Sequence, residues 1–206
     1  MNLIFRKTES SYFFRTEYLT REVFWNLYNS GCTDHLILHN LRKSADYVPE
    51  LDLVAVDDGE IAGHIISSRA NIIDEQNEEH EVLCAGPFFV VPSMQNKGIG
   101  SKLFEYSISE SKKLGFAAII LFGNPDYYHR FGFRNAKEFG ITTKDGRNFE
   151  PFMALELHEG ALKNISGKFY DDIAFEVSEA ELNEFEKLFP PKEKGKAKID
   201  ISEFEN

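Results

Sequence analysis

The strongest constraint on the fold is a strand–helix–strand succession in the middle of the chain. Residues 82–91, VLCAGPFFVV, are an almost unbroken apolar run that is typical of a buried strand. Residues 98–114 carry apolar side chains at helical spacing, and Gly115 then ends the helix. A second apolar run, FAAIILF, follows at 116–122. Because such a crossover returns to the same sheet, we predict that the two strands are parallel neighbours.

The first of these strands contains a break at Gly86-Pro87. Proline cannot donate a hydrogen bond to a strand ladder, so continuous pairing is not expected at this point. We predict that the two parallel strands diverge there and leave backbone groups of residues 88–91 unpaired on one edge.

The remaining elements are predicted from periodicity and turn residues. Asp58-Gly59 is a typical hairpin turn between two apolar segments. We expect helices at 17–29, from residue 33 or 34 onward, and over the acidic stretch 171–186. We expect hairpin strands at 51–56 and 61–67, a loop or strand edge at 71–81, and a strand at 152–157.

Composition narrows the class of protein. The chain has 206 residues, which is the size of one domain with an appendage. Its formal net charge of −11 argues against a nucleic-acid binder and favours a cationic partner. Two cysteines cannot form a disulfide framework and suit a reducing compartment. With no apolar leader or membrane-length run in the sequence, we expect a cytoplasmic protein that acts away from membranes.

The junction between the first strand and the helix reads PSMQNKGIGS over residues 92–101. The first N–H groups of a helix lack partners within it and, with the helix dipole, can bind an anion. Glycine lets a phosphate approach the backbone, and Lys97 and Ser101 can add donors. The plain alternative is an ordinary sharp turn. A dinucleotide fingerprint is excluded because Leu103 occupies the position of its third glycine.

Two motifs resemble one known family. Gln95, Gly98 and Gly100 after a Val-x-Pro strand end resemble the coenzyme A pyrophosphate loop of the GNAT superfamily of N-acetyltransferases. Downstream, Tyr128 stands four residues before Gly132, as in that superfamily's Tyr-x-x-x-Gly-Phe segment. The fuller string YYHRFGF is similar to a subgroup called YhbS-like. The resemblance covers about residues 1–157.

The resemblance implies an α/β (α+β) fold: a central mixed, mostly antiparallel twisted sheet with a splayed parallel strand pair, flanked by helices. It implies an acetyltransferase domain over 1–157, and we expect residues 158–206 to pack on it as an extension with an acidic helix and an exposed lysine-rich tail.

The resemblance also implies that acetyl-CoA is the donor and that an amine of a small molecule or protein receives the acetyl group directly. Tyr128 would protonate the departing thiolate, although a merely packed aromatic ring is the alternative. Asn124 would hold a carbonyl group or simply form a turn. No metal is expected. The residues expected to bind the cofactor are Phe89, Val90, Val91, Gln95, Asn96, Lys97, Gly98, Ile99, Gly100, Ser101 and Asn124.

Three questions stay open in the sequence. The general base could be His64, Glu50, Glu81 or His80. The assembly state is also open, with a homodimer among the alternatives. Two other functions compete with the enzyme: a non-catalytic acyl-CoA-binding sensor of the same fold, and an interaction protein that uses the acidic stretch 171–186 as its surface.

Overall fold

The computed structural model describes residues 2–199, and its nine strands form one sheet. The main path runs β1-β2-β3-β4-β5-β8-β6, while β9 pairs with both β3 and β7. The strands are β1 Leu3–Lys7, β2 Tyr47–Asp57, β3 Glu60–Ile73, β4 Glu79–Val90, β5 Ala118–Phe122, β6 Arg134–Asn135, β7 Ile141–Thr143, β8 Phe152–Glu156 and β9 Gly167–Tyr170. The helices are α1 Phe13–Phe24, α2 Asp34–Leu41, α3 Ile99–Lys113, α4 Pro125–Tyr128 and α5 Glu179–Glu186.

The predicted parallel pair is confirmed. Strands β4 and β5 are parallel, and their pairing consists of Leu83 with Ile119 and Cys84 with Ile120. Beyond Cys84, at Gly86-Pro87, β4 leaves β5 and continues alongside β3 only. All other pairings are antiparallel except that of β7 with β9. The predicted fold class, a mostly antiparallel sheet with a splayed parallel pair, is therefore also confirmed.

Two layers of helices bury the sheet. Helix α3 packs its apolar stripe, including Leu103 and Phe104, against one face. Helix α2 covers the other face, where Leu38 and Leu41 contact Ile66 of β3. The buried side chains on each face follow from the alternation of side chains along β3 and from the 3.6-residue period of the helices.

Two predicted helix boundaries were wrong. The first helix spans Phe13–Phe24 and ends at Trp25, because Asn26 adopts a left-handed conformation with φ of 55°. The acidic stretch is helical only over Glu179–Glu186, where Ser178 caps the helix. The stretch 71–81, which was expected to be a loop or strand edge, contains the end of β3, a turn over 74–78 and the start of β4.

The segment beyond residue 157 returns to the sheet and then to the first helices. Strand β9 pairs with β3 at Asn71–Ile73, and α5 packs Leu182 and Phe185 against Leu36 of α2. The lysine-rich segment is largely exposed up to residue 199, and residues 200–206 lie outside the described part of the chain. The division of the chain at residue 157 stays a prediction.

Within residues 2–199, none of the helices has both the length and the apolar surface that a bilayer crossing requires.

Candidate active site

The cleft between β4 and β5 exposes one edge of β4. Val91 donates its N–H to the Ala62 carbonyl of β3, while Gly63 lies opposite Val90. Because peptide groups alternate in direction along a strand, the N–H and C=O groups of Val90 and Phe88 point away from β3. They therefore face the gap that β5 leaves open. One carbonyl on this edge already has a hydrogen-bond partner, since Gln95 Nε2 donates to the Val90 carbonyl at 3.0 Å.

Helix α3 begins at the end of this edge. Gly98 is its N-cap residue, with φ of 76°, and a Cβ atom added there would have no neighbour within 4 Å. Asn96 is left-handed as well, with φ of 59°. The first N–H groups of α3 thus start from a tight turn with open space before them, the geometry that a phosphate needs. Lys97 Nζ lies on the same turn and donates to the Ser93 carbonyl at 3.0 Å.

The structure brings most of the predicted cofactor residues to this one edge and turn. The side chains of Phe89 and Ile99 are exceptions, since they are 3% and 1% exposed and pack in the interior. These two residues can contribute only backbone groups. Asn124 caps α4, where its Oδ1 accepts from the N–H of Asp126 at 3.0 Å. Its turn-forming role is thus present in the structure.

Tyr128 lies at the end of α4, in an aromatic cluster with Phe104, Phe131 and Phe133. Its ring packs against Phe104 and Phe133, with centroid separations of 5.3 Å and 5.7 Å. A Cβ atom at Gly123 would overlap this ring, so glycine is required there. Burial, followed by the neighbouring Tyr127 and Tyr28 hydroxyls, raises the pKa of Tyr128 well above its usual range. The hydroxyl therefore keeps its proton at neutral pH.

Tyr127 is a site residue that the sequence analysis missed. Its hydroxyl would lie 2.9 Å from a Cβ atom at Gly100, next to Ser101 in the first turn of α3. Burial is the main cause that raises its pKa. Gly100 is thus needed because the Tyr127 hydroxyl and the Phe88 ring crowd the helix start. The doubled tyrosine was the available signal, but the sequence alone does not say which ring faces the loop.

Comparison with known proteins decides the family. The profile described as "Acetyltransferase (GNAT) family" matches residues 16–133, more than half of the chain. The chain belongs to the GNAT family of N-acetyltransferases. It is 27% identical over 132 residues to the uncharacterised N-acetyltransferase YhbS of Escherichia coli K12, which covers 64% of this chain and 76% of YhbS.

Solved GNAT structures agree with the fold. The crystal structure of E. coli YhbS in complex with CoA has a TM-score of 0.75, with 22% identity, 85% of this chain and 92% of that chain covered. A GNAT acetyltransferase from Brucella melitensis in complex with acetyl-CoA has a TM-score of 0.69, with 25% identity and coverage of 84% and 98%.

Three of the four candidate bases of this GNAT domain are engaged in exposed or part-buried pairs. Glu81 lies 3.4 Å from Arg69, and Glu50 lies 3.8 Å from Lys7. His80 Nε2 lies 2.9 Å from Asp74 Oδ2, in the turn between β3 and β4. These residues occupy the β3–β4 hairpin and the start of β2, on strand segments away from the splayed part of β4.

The fourth candidate, His64, is fully buried in a polar network under α1 and α2. Its Nε2 lies 2.8 Å from Asp52 Oδ1, and Asp52 Oδ2 accepts from Arg42 Nε at 2.8 Å and from the Tyr47 hydroxyl at 2.9 Å. Burial lowers the pKa of His64, against the opposing effect of Asp52. For Asp52, hydrogen bonds and charges from His64 and Arg42 outweigh burial and hold its pKa well below the usual range.

One cluster of ionisable side chains with the spacing of metal ligands lies at the turn between β3 and β4. Among the described residues, Asp74, Glu78 and His80 could place ligand atoms within 4.8 Å of one another. Asp74 Oδ1 instead accepts from the Gln76 and Glu78 N–H groups, which shapes the hairpin turn. The expectation of a metal-free site stays a prediction.

Proposed function

We propose that this protein transfers an acetyl group from acetyl-CoA directly to an amine. The observation that carries the proposal is the meeting of the open β4 edge with the exposed start of α3. When bound, acetyl-CoA supplies the acetyl group as an activated thioester. The residues fit it: peptide groups of Phe88 and Val90 would pair with the pantetheine arm, and N–H groups at Gly98–Ser101 would hold the pyrophosphate.

Tyr128 would assist departure of the thiol. Its high pKa means that it would donate a hydrogen bond to the developing thiolate more readily than it would give up its proton completely. A free thiol has a pKa of about 8.5, so the thiolate is already a fairly stable leaving group and this assistance is modest. A backbone N–H on the open edge of β4 would donate to the carbonyl oxygen as negative charge develops on it.

Direct transfer is favoured because the chain offers no reactive cysteine at this site. Cys32 and Cys84 are both buried, and neither forms a disulfide. Burial is the largest cause that raises the pKa of each thiol well above its usual range, so neither forms a nucleophilic thiolate. Two free cysteines also suit the cytoplasmic location, which stays a prediction together with the homodimer.

The test uses isothermal calorimetry with acetyl-CoA and a matched pair of variants at Gly98. Both Asp and Asn can adopt the left-handed conformation, so Gly98→Asp and Gly98→Asn should fold alike. The Asp variant should bind acetyl-CoA about 100-fold more weakly than the Asn variant, because two like charges a few ångströms apart cost several kcal/mol near a protein surface. Equal affinities would contradict the pyrophosphate placement.

Release of free thiol in the presence of amines then separates the enzyme from its closest rival. Acetyl-CoA binding with no thiol release for any amine in a broad panel would favour a non-catalytic acyl-CoA-binding module. Absence of acetyl-CoA binding would favour neither of these two functions and would support an interaction protein.

A further inference from the structure

The last residue of β5 carries an exposed aromatic ring on the wall of the gap. Strands β4 and β5 pair only as far as Cys84 with Ile120, and Phe122 lies two residues beyond that pair. Side chains alternate along a strand, so Phe122 is on the same face as Ile120 and on the face opposite α3. Phe122 is 46% exposed, although it ends a strand whose other side chains are buried.

Three further rings hold Phe122 in place. Phe152, its direct partner on β8, stacks on it with a centroid separation of 5.0 Å. The centroids of Phe149 and Phe169 lie 5.8 Å and 6.3 Å from that of Phe122. Phe152 and Phe169 are 0% and 3% exposed, so they form a buried base beneath it. Phe122 is thus the exposed outer ring of a packed cluster.

The same strand end carries the proposed thiol-facing group on its other face. Gly123 directly follows Phe122, and the Tyr128 ring packs so closely on Gly123 that a Cβ atom there would overlap it. Tyr128 belongs to the apolar cluster on the α3 face. Across the gap, a Cβ atom at Gly86 of β4 would meet nothing within 4 Å, so open space lies beside the point where β4 leaves β5.

The α3 face of the gap is already filled by aromatic rings. The ring of Phe88 on β4 lies 5.4 Å from that of Phe104 on α3 and 6.1 Å from that of Tyr127 on α4. The start of α3 on the same face would hold the pyrophosphate. An acceptor therefore has to approach the thioester from the opposite face, where Phe122 is exposed.

We propose that Phe122 determines acceptor specificity, and that the acceptor is a small primary amine that carries an aromatic ring. The proposal rests on the proposed function. The exposed Phe122 ring would pack against the aromatic ring of the acceptor, which removes apolar surface of both from water and holds the amine toward the gap. The formal net charge of −11 attracts the ammonium form of such an amine to the protein.

The experiment compares two amines that differ only in the ring, phenethylamine and ethylamine, by release of free thiol from acetyl-CoA. Wild-type kcat/KM should be at least about tenfold higher for phenethylamine, because its phenyl group buries additional apolar surface. Phe122→Leu keeps an apolar side chain but removes the flat ring. It should lower kcat/KM for phenethylamine by about 2- to 12-fold, the range for loss of an aromatic pair, and leave ethylamine unchanged.

The matched control is Phe14→Leu on α1. Phe14 is 53% exposed and stacks on Phe189 at 5.3 Å, so the same substitution is made at a similarly exposed, ring-supported position. This variant should keep the wild-type ratio of the two amines. An unchanged ratio in Phe122→Leu, or no wild-type preference for phenethylamine, would overturn the inference. Failure of the proposed function would appear separately, as absent acetyl-CoA binding.

A measurement without turnover completes the test. In protein with ¹³C-labelled phenylalanine rings, the NMR signal that Phe122→Leu removes belongs to Phe122. With CoA present, phenethylamine should shift this signal and ethylamine should not. A signal that ignores phenethylamine would overturn the inference even for an inactive protein. Conversion of a dimer to a monomer by Phe122→Leu, seen by size-exclusion chromatography, would also overturn it, because the ring would then be a subunit contact.

Discussion

Asp52 is the central acceptor of the buried polar network, and its removal should be among the most destabilising single changes in this protein. The residue is fully buried and accepts hydrogen bonds from Arg42 and Tyr47 while facing His64. In Asp52→Ala, the Arg42 guanidinium, whose side chain is 3% exposed, would lose its closest carboxylate. Breaking a buried ion pair by removing one partner costs about 3–5 kcal/mol.

For a chain of about 200 residues, each kcal/mol corresponds to about 2–4 °C in Tm, so Asp52→Ala should lower Tm by about 6–20 °C. Urea unfolding followed by circular dichroism and by the fluorescence of the single tryptophan, Trp25, measures the change in the free energy of unfolding. The matched control is Glu50→Ala, which removes an exposed carboxylate 3.8 Å from Lys7. That variant should lose no more than about 0.5 kcal/mol.

A loss below about 1 kcal/mol in Asp52→Ala would refute this reasoning. It would mean that Glu17, whose Oε1 lies 3.4 Å from Arg42, takes over as the guanidinium's partner. The same network has a pH signature. The depressed pKa of Asp52 means that its contribution is present above the pKa of the unfolded chain and is lost as the pH falls toward the folded-state value.

Two further predictions concern turnover and acid stability. Tyr128→Phe should lower kcat by about 10- to 100-fold with an unchanged Kd for acetyl-CoA, because it removes an interaction made mainly in the transition state. Tyr106→Phe on α3 is the control. Normal turnover in Tyr128→Phe would show that another donor serves the thiolate. Burial lowers the pKa of His35 to about 4, so the folded protein binds fewer protons there than the unfolded chain and loses stability as the pH falls from about 6.5 toward 4. The raised pKa of Asp34 acts oppositely, since its contribution to the free energy of unfolding is lost as the pH rises through about 6. Urea unfolding at several pH values should show that the free energy of unfolding falls less steeply on acidification in His35→Gln than in the wild type. An equally steep fall in both proteins would contradict the role assigned to His35.

The parts of the fold that could be predicted are those that local pattern determines. The apolar runs at 82–91 and 116–122, with a helix between them, determine a parallel pair because crossovers have one favoured geometry. Pro87 likewise marks the divergence of β4 from β5 without knowledge of the rest of the chain. The helix start at Gly98 was predictable for the same reason, since the motif and the cap are contiguous.

The parts that could not be predicted depend on contacts between distant segments. Helix α1 stops at Phe24 because Asn26 is bonded to Gly31 and to the tail at Gly195 and Lys198, which are about 170 residues away. The orientation of Tyr127 toward Gly100 likewise depends on how α4 packs on α3.

One boundary error could have been avoided. Ser178 and Glu181 form a capping box, which is legible in the sequence as Ser-x-x-Glu. The box begins the last helix at residue 179, so the acidic stretch could not have been helical as one piece.

The most direct test of the account is amide hydrogen exchange along β4 with and without acetyl-CoA. The N–H groups of Phe88 and Val90 point into the gap left by β5, whereas that of Val91 is already bonded to β3. We predict that acetyl-CoA slows exchange at Phe88 and Val90 and leaves Val91 nearly unchanged, because the pantetheine arm would supply the missing strand partner. Equal exchange at Phe88 and Val90 in the two states, under saturating acetyl-CoA, would contradict the proposed binding edge.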